Sequence, residues 1–217
     1  MIATYLDFDG TLADTTLVHV YAYYARHAGR RVEMAMRLAK LAAMTPAYMA
    51  LDKVSRLAFA RRLYSHYEGL SRDRLEALAP ALDREVLQPR EHKHAASFLA
   101  GCKAKGPIVL VTGAADFCVA PFAKRYGFDA VIATRLEYRD GRATGRIIPP
   151  EVFGPNKAKL IRDHAAAHGI DLAASSAYTD SISDLPMMDV VGRPGVINPD
   201  AALQRAARDY HWQILTL

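Results

Sequence analysis

The residues best suited to chemistry stand at the end of a short apolar run. Asp7 and Asp9 close the segment Ile2–Phe8 in the string D-F-D-G-T-L, and Gly10 follows them. Side chains two apart on an extended strand share a face, so both carboxylates can approach one reacting group where the strand breaks. One can attack phosphorus in line with a leaving oxygen. The other can protonate that oxygen and then activate the water that hydrolyses the acyl phosphate. Gly10 lets backbone come close to a phosphoryl group. Taken alone, D-x-D is equally a helix cap followed by a turn. Further polar residues follow later apolar runs: Thr11 after the first, then Thr112, Gly113 and Asp116, then Asp180 and Asp184, with Lys157 opening a helix between the last two groups. Such an inventory suits an oxygen-ligated divalent cation such as Mg²⁺, an anionic substrate and a carboxylate nucleophile.

The elements that must position these groups alternate. Residues 2–8 read as a buried strand ended by Asp9-Gly10. From about 15 to 105 apolar residues recur three and four apart, which predicts helices, divided at Pro46, Gly69-Leu70-Ser71 and Pro80. After Gly106-Pro107 strands and helices alternate: a strand over 107–111, a helix over 116–126 with Asp116 as its N-cap, and a strand over 130–133. A hairpin follows over 136–148, turning at Asp140-Gly141. A helix over 155–168 precedes a strand over 174–179, short strands at 190–191 and 195–197, and a last helix from Asn198-Pro199 to Tyr210. This alternation predicts a Rossmann-like parallel α/β sheet with helices on both faces. The helical stretch is then an inserted cap over 15–91, with 1–14 and 92–217 forming the core domain.

Composition narrows the classes. The chain has 217 residues, 51% hydrophobic and 24% charged, a globular balance that excludes collagen, coiled coil and disorder. No apolar run approaches the ~20 residues of a membrane span, and no leader pattern precedes Ile2, so a soluble, cytoplasmic protein is expected. Cys102 and Cys118 cannot make a disulfide framework and read as buried and inert. The net charge of +5 belongs wholly to residues 14–95, as expected of a segment facing an anionic ligand or of a solvated basic face. The absence of a dense Lys/Arg run with interleaved aromatics argues against nucleic acid. His92 and His94 read as surface residues beside the cap hinge, and Met34, Met36, Met44 and Met49 as cap core. The apolar stretch from Met34 to Leu63 reads as helix packing or a dimer interface ahead of a pocket for a hydrophobic phosphate tail.

The order of the pieces is more specific than any one of them. D-F-D-G-T-L, V-L-V-T-G, G-P-N-K and Y-T-D-S-I-S-D-L-P, in that order, resemble the haloacid dehalogenase (HAD) superfamily, and more narrowly its phosphoserine phosphatase-like branch with a helical cap after the first motif. The resemblance covers nearly the whole chain. It implies Asp7 as phosphoryl-accepting nucleophile and Asp9 as general acid/base, with Thr112, Gly113 and Lys157 binding the phosphoryl group. It also implies Mg²⁺ held by Asp7, the Asp9 carbonyl, Asp180 and, one helical turn on, Asp184. The activity implied is hydrolysis of a small phosphate ester, because superfamily members that cleave carbon–halogen bonds lack the second acid. Transfer of the phosphoryl group to an alcohol shares the intermediate. A non-catalytic module holding an anionic partner is a further reading, against which stands the presence of Asp7, Asp9, Lys157 and Asp180. Phosphoserine phosphatases carry a glutamate shortly after the first motif; here Thr16 stands at that place. Arg56 and Arg62, six residues apart, do not share a helix face, and neither is assigned a ligand.

Overall fold

The computed structural model describes residues 1–27, 29 and 31–217. Its centre is a seven-stranded sheet in the order β4-β3-β2-β1-β5-β6-β7. The strands are β1 (Thr4–Leu6), β2 (Ile108–Ala115), β3 (Ala130–Arg139), β4 (Arg142–Ile148), β5 (Ser176–Thr179), β6 (Arg193–Ile197) and β7 (Gln213–Leu215). All neighbours pair parallel except β3 and β4. β1 is flanked by β2, reached first in the chain, and by β5, reached later. The strand order therefore reverses beside β1, and the crevice for a ligand opens at its carboxyl end.

Alternation along the strands gives each face its own core. On β1, Leu6 joins Leu110 and Phe122 on one side of the sheet, while Tyr5 joins Val109, Val111 and Ile161 on the other. The first face is covered by α5 (Ala95–Lys103) and α6 (Asp116–Tyr126), the second by α7 (Pro155–His168), α8 (Leu185–Met188) and α9 (Ala201–Asp209). At the far edge the single tryptophan, Trp212, stacks on Tyr210 with ring centres 5.2 Å apart.

Between β1 and α5 the described elements are helical: α1 (Leu17–His27), α2 (Arg31–Val54), α3 (Arg56–Tyr64), a 3₁₀ turn at Ser65–Tyr67, α4 (Arg72–Leu82), a wider π-helical turn at Asp83–Leu87 and a 3₁₀ turn at Gln88–Arg90. Their apolar residues continue the first core: Tyr24 and Tyr67 pack on Phe117 of α6, and the Tyr64 hydroxyl donates to the Gly113 carbonyl at 2.8 Å. The chain leaves and re-enters the sheet side by side. Asp14 N–H donates to the Arg90 carbonyl and His92 N–H to the Leu12 carbonyl. Arg125 of α6 fastens this crossing by pairing with both Asp83 and Glu91.

Several expectations need correction. Pro46 and Pro80 do not divide helices; they lie inside α2 and α4. At Pro46 the missing N–H leaves free the carbonyl of Ala42, which is exposed and can be hydrated. Asp116 is the first residue of α6 and not its cap: Ala115 holds the cap position, and the Asp116 carboxylate accepts from the Phe117 N–H at 2.7 Å. The strand at 130–133 and the first hairpin arm are one strand, β3, and 190–191 form none. Met36 and Met49 are exposed, not cap core. The turn at Asp140-Gly141 is as expected, both residues having positive φ (49° and 73°). Cys102 and Cys118 are buried and free.

Candidate active site

Asp7 follows β1 directly, its N–H donating to the Tyr178 carbonyl of β5 at 3.0 Å. Lys157, in the first turn of α7, reaches across the strand end. Its ammonium lies 2.8 Å from Asp7 Oδ1 and 2.6 Å from Asp184 Oδ2, and all three side chains are buried. Asp184 also accepts from the Thr179 hydroxyl at 3.0 Å. The Thr15 hydroxyl donates to Asp9 Oδ1 at 2.7 Å, and the Thr11 hydroxyl to Asp180 Oδ1 at 2.9 Å. Each carboxylate is thus oriented by a specific donor.

Two glycines permit the close approach. Gly10 has φ 81°, and a Cβ there would stand 2.1 Å from Asp180 Oδ2, so only glycine lets that carboxylate rest on the turn. A Cβ on Gly113 would meet the Phe153 ring at 2.3 Å. His92, expected as a surface residue, is half-buried and ties the turn down: its Nε2–H donates to the Gly10 carbonyl at 3.0 Å. His94 is exposed, as expected.

Asp7, Asp9, Gly113, Lys157 and Asp184 line one cavity with Leu17, Arg56 and Phe153. It measures about 10 Å³, room for roughly one water. Thr112 is fully buried beside it, its hydroxyl oxygen accepting from the Ala114 N–H at 3.0 Å. Asp180 joins the group through Thr11 and Gly10. Arg56, unassigned from sequence, comes from the start of α3 and pairs with Asp52 at 3.6 Å. One Asp52 oxygen is buried without a hydrogen-bond partner.

Charge in this space is strongly coupled. Burial pushes the Asp7 carboxyl up to about 7; Lys157 opposes the rise, and the like charges of Asp184 and Asp180 add to it. Burial raises Asp180 to about 6 against the Thr11 hydrogen bond and Arg56. It also raises Asp9, against the Thr15 hydrogen bond and Arg56. Lys157 would lose its proton more easily for being buried, but Asp184 and Asp7 more than reverse this and its pKa is raised. Four carboxylates face two cations, Lys157 and Arg56. That deficit of positive charge, with oxygen donors only, fits a hard divalent cation. Among the described residues no three His, Cys, Asp or Glu side chains form a metal-binding group. A cation here would therefore draw on backbone carbonyl oxygen as well.

Comparison with known proteins gives the family. The model of the haloacid dehalogenase-like hydrolase family matches residues 5–189, and the chain belongs to that family. A solved structure of a Bordetella pertussis protein of unknown function superposes with a TM-score of 0.85, at 27% identity over 99% of this chain and 98% of that one. A substrate-bound phosphoserine phosphatase superposes with a TM-score of 0.73 at 18% identity, covering 99% and 92%, a likeness of fold. A probable phosphatase of Mycobacterium tuberculosis is 35% identical over 133 residues, 61% of this chain and 46% of its own length. The chain spans about half the length of the curated relatives it matches. Among the described residues no helix is long and apolar enough to cross a membrane.

Proposed function

We propose that this chain is a Mg²⁺-dependent phosphomonoester hydrolase acting through an aspartyl-phosphate on Asp7. The observation that carries the reading is the Lys157 ammonium held between Asp7 and Asp184 at the carboxyl end of β1. With Oδ1 fixed on Lys157, the other Asp7 oxygen attacks phosphorus, and the leaving oxygen takes a proton from Asp9. A raised pKa keeps that proton on Asp9 until it is needed, and Thr15 fixes the carboxyl's direction. Asp9 then takes a proton from the water that cleaves the acyl phosphate, returning Asp7 and inorganic phosphate. Lys157, the Gly113 N–H and the Thr112 hydroxyl hold the phosphoryl oxygens. Asp7, the Asp9 carbonyl and Asp180 would hold Mg²⁺, with Asp184 beside it directly or through water, and the ion would supply charge neutralisation at the transferring group.

The substrate class is a small phosphorylated metabolite. Residues 15–91 act as the cap over a core of 1–14 and 92–217. The narrow cavity admits an ester only when Leu17 and Arg56 swing away from Gly113 and Phe153. Thr16 is exposed and bonded to His19, so it offers no carboxylate to a substrate ammonium, which disfavours phosphoserine. The test is phosphate release from sugar, nucleotide, lipid and amino-acid phosphates and an activated aryl phosphate, with and without Mg²⁺. Release that needs Mg²⁺ and vanishes in Asp7→Asn supports the reading. No release from any ester, the aryl phosphate included, overturns it.

A further inference from the structure

The amino edge of the sheet, opposite the carboxylates, holds a second concave site. Parallel pairing sets Thr4 of β1, Ser176 of β5 and Arg193 of β6 side by side. Two residues further along the strands it sets Tyr178, Gly195 and Gln213 of β7 side by side. In-register neighbours share a face, as do residues two apart, so both rows look out on the side of the sheet that α5 covers. There Phe98 of α5 packs edge-on against Tyr178 with ring centres 5.0 Å apart. The Tyr178 ring lies across to β6, where a Cβ on Gly195 would stand 2.5 Å from it. Helix α5 stops at Lys103, and beyond its end these rows and Lys105 enclose a cleft of about 310 Å³. That is the size of a small-molecule site.

The chemistry of the lining names the occupant. Its polar side chains are those of Thr4, Lys105, Ser176, Tyr178, Arg193 and Gln213. Every one of them can donate a hydrogen bond, and two are cations that cannot accept. Among the described residues no carboxylate lines the cleft, and neither Lys105 nor Arg193 forms an ion pair. The Lys105 charge reaches this space: burial pushes the Cys102 thiol up to about 11, and Lys105 and the Thr4 side chain act against the rise. Two uncompensated cations among hydroxyl and amide donors suit an oxyanion with two negative charges and several acceptor oxygens. A phosphate group has that form, whereas a carboxylate brings one charge and two oxygens. We propose that the amino ends of β1, β5 and β6 bind a phosphate dianion, free or borne by a small polar molecule. Arg193 and Lys105 are its cations, and Ser176 is the donor between Thr4 and Arg193. Ser176 lies four residues before Asp180, roughly 13 Å along the strand direction. The two sites can therefore be filled together, and this one does not depend on the hydrolytic reading.

The experiment is titration calorimetry on the whole chain in buffer with a chelator, where the carboxylates of the other edge repel anions. The probes are inorganic phosphate, glycerol phosphate and glycerol, with sodium chloride as the control for ionic strength. Phosphorus NMR line widths read the same equilibrium if the heat is small. Saturable binding of phosphate or glycerol phosphate is expected, with a Kd of about 1 mM or tighter, and none of glycerol. Arg193 and Lys105 are both exposed, so their replacement spares the core. Arg193→Gln and Lys105→Gln should each weaken binding about tenfold or more. Far-ultraviolet circular dichroism and turnover of an aryl phosphate should stay unchanged in both. Equal affinities assign the site to the free ion, and tighter glycerol phosphate assigns it to an organic phosphate. No saturation by either phosphate up to about 10 mM overturns the proposal. So does an effect that sodium chloride reproduces, or binding that both variants leave intact, which would put the anion beside Lys157 and Arg56 instead.

Discussion

The carboxyl edge of the sheet and the helical segment above it treat polarity in opposite ways. At the edge, buried Asp7, Asp9, Lys157 and Asp184 each have a named partner within hydrogen-bond distance, supplied by side chains fixed on strand ends or on the first turn of a helix. In the helical segment apolar residues stand in solvent along α2, and one oxygen of Asp52 is buried without a partner. A sheet edge fixes direction through backbone pairing on both sides, so costly buried charge can be kept in one arrangement. A helix pair held mainly by ring packing leaves more freedom. The difference accords with the proposed division, reaction at the edge and admission through the helices.

Substitutions can break that division, beginning at the edge. Asp7→Asn is expected to lower phosphate release by at least about 10⁴-fold with the fold retained, read by product assay and thermal melting. Lys157→Met leaves Asp7 and Asp184 buried against each other. It should cost about 3–5 kcal/mol of stability in urea titration and about a hundredfold or more in rate. Arg56→Ala sharpens the comparison from the other side. It removes a cation contributed by the helical segment, so kcat/KM should fall roughly tenfold to a hundredfold, mostly through KM, with stability little changed.

A further effect concerns acid. His66 is buried against Tyr21 and shares a hydrogen bond with the Tyr48 hydroxyl. Burial lowers its pKa from 6.5 to about 4, and the charges of Lys40, Arg62 and Arg37 act in the same direction. Between those values the unfolded chain binds a proton that the folded chain refuses. Stability is therefore full above pH 6.5 and is lost as pH falls toward about 4, by up to about 3 kcal/mol. His66→Gln should flatten the pH dependence of stability across that window, read as urea midpoints. An unchanged slope would mean that His66 does not set the acid limit of the helical segment.

Much of the sheet was legible in the sequence because strand ends carry local punctuation. Asp9-Gly10, Asp140-Gly141 and the glycine before Pro155 mark turns wherever they occur. Family order then let the resemblance assign Asp7, Asp9, Lys157 and Asp180. Arg56 was not legible, because which face of α3 meets the sheet depends on how the chain leaves α2 at Ser55. Asp184 was read as one helical turn from Asp180. The 182–184 stretch instead forms a tighter 3₁₀ turn, and the carboxylate takes Lys157 and Thr179 as partners. Pro46 and Pro80 misled for a general reason: an exposed carbonyl can exchange a lost helix bond for water. His92 gave no signal, since its partner Gly10 lies 82 residues away.

The placement of Trp212 has an optical consequence. It is the one tryptophan, stacked on Tyr210 at the far edge of the sheet, whereas Tyr21, Tyr23, Tyr24, Tyr48, Tyr64 and Tyr67 all belong to the helical segment. Emission excited at the red edge of the absorption band reports the surroundings of Trp212, and near-ultraviolet dichroism of the tyrosines adds those six to Tyr5, Tyr126, Tyr138, Tyr178 and Tyr210 of the sheet layer. The unlabelled protein thus carries one reporter confined to the sheet edge and one shared by both layers. A ligand that moves the helices while the sheet stays still would change the tyrosine signal and leave the tryptophan emission flat.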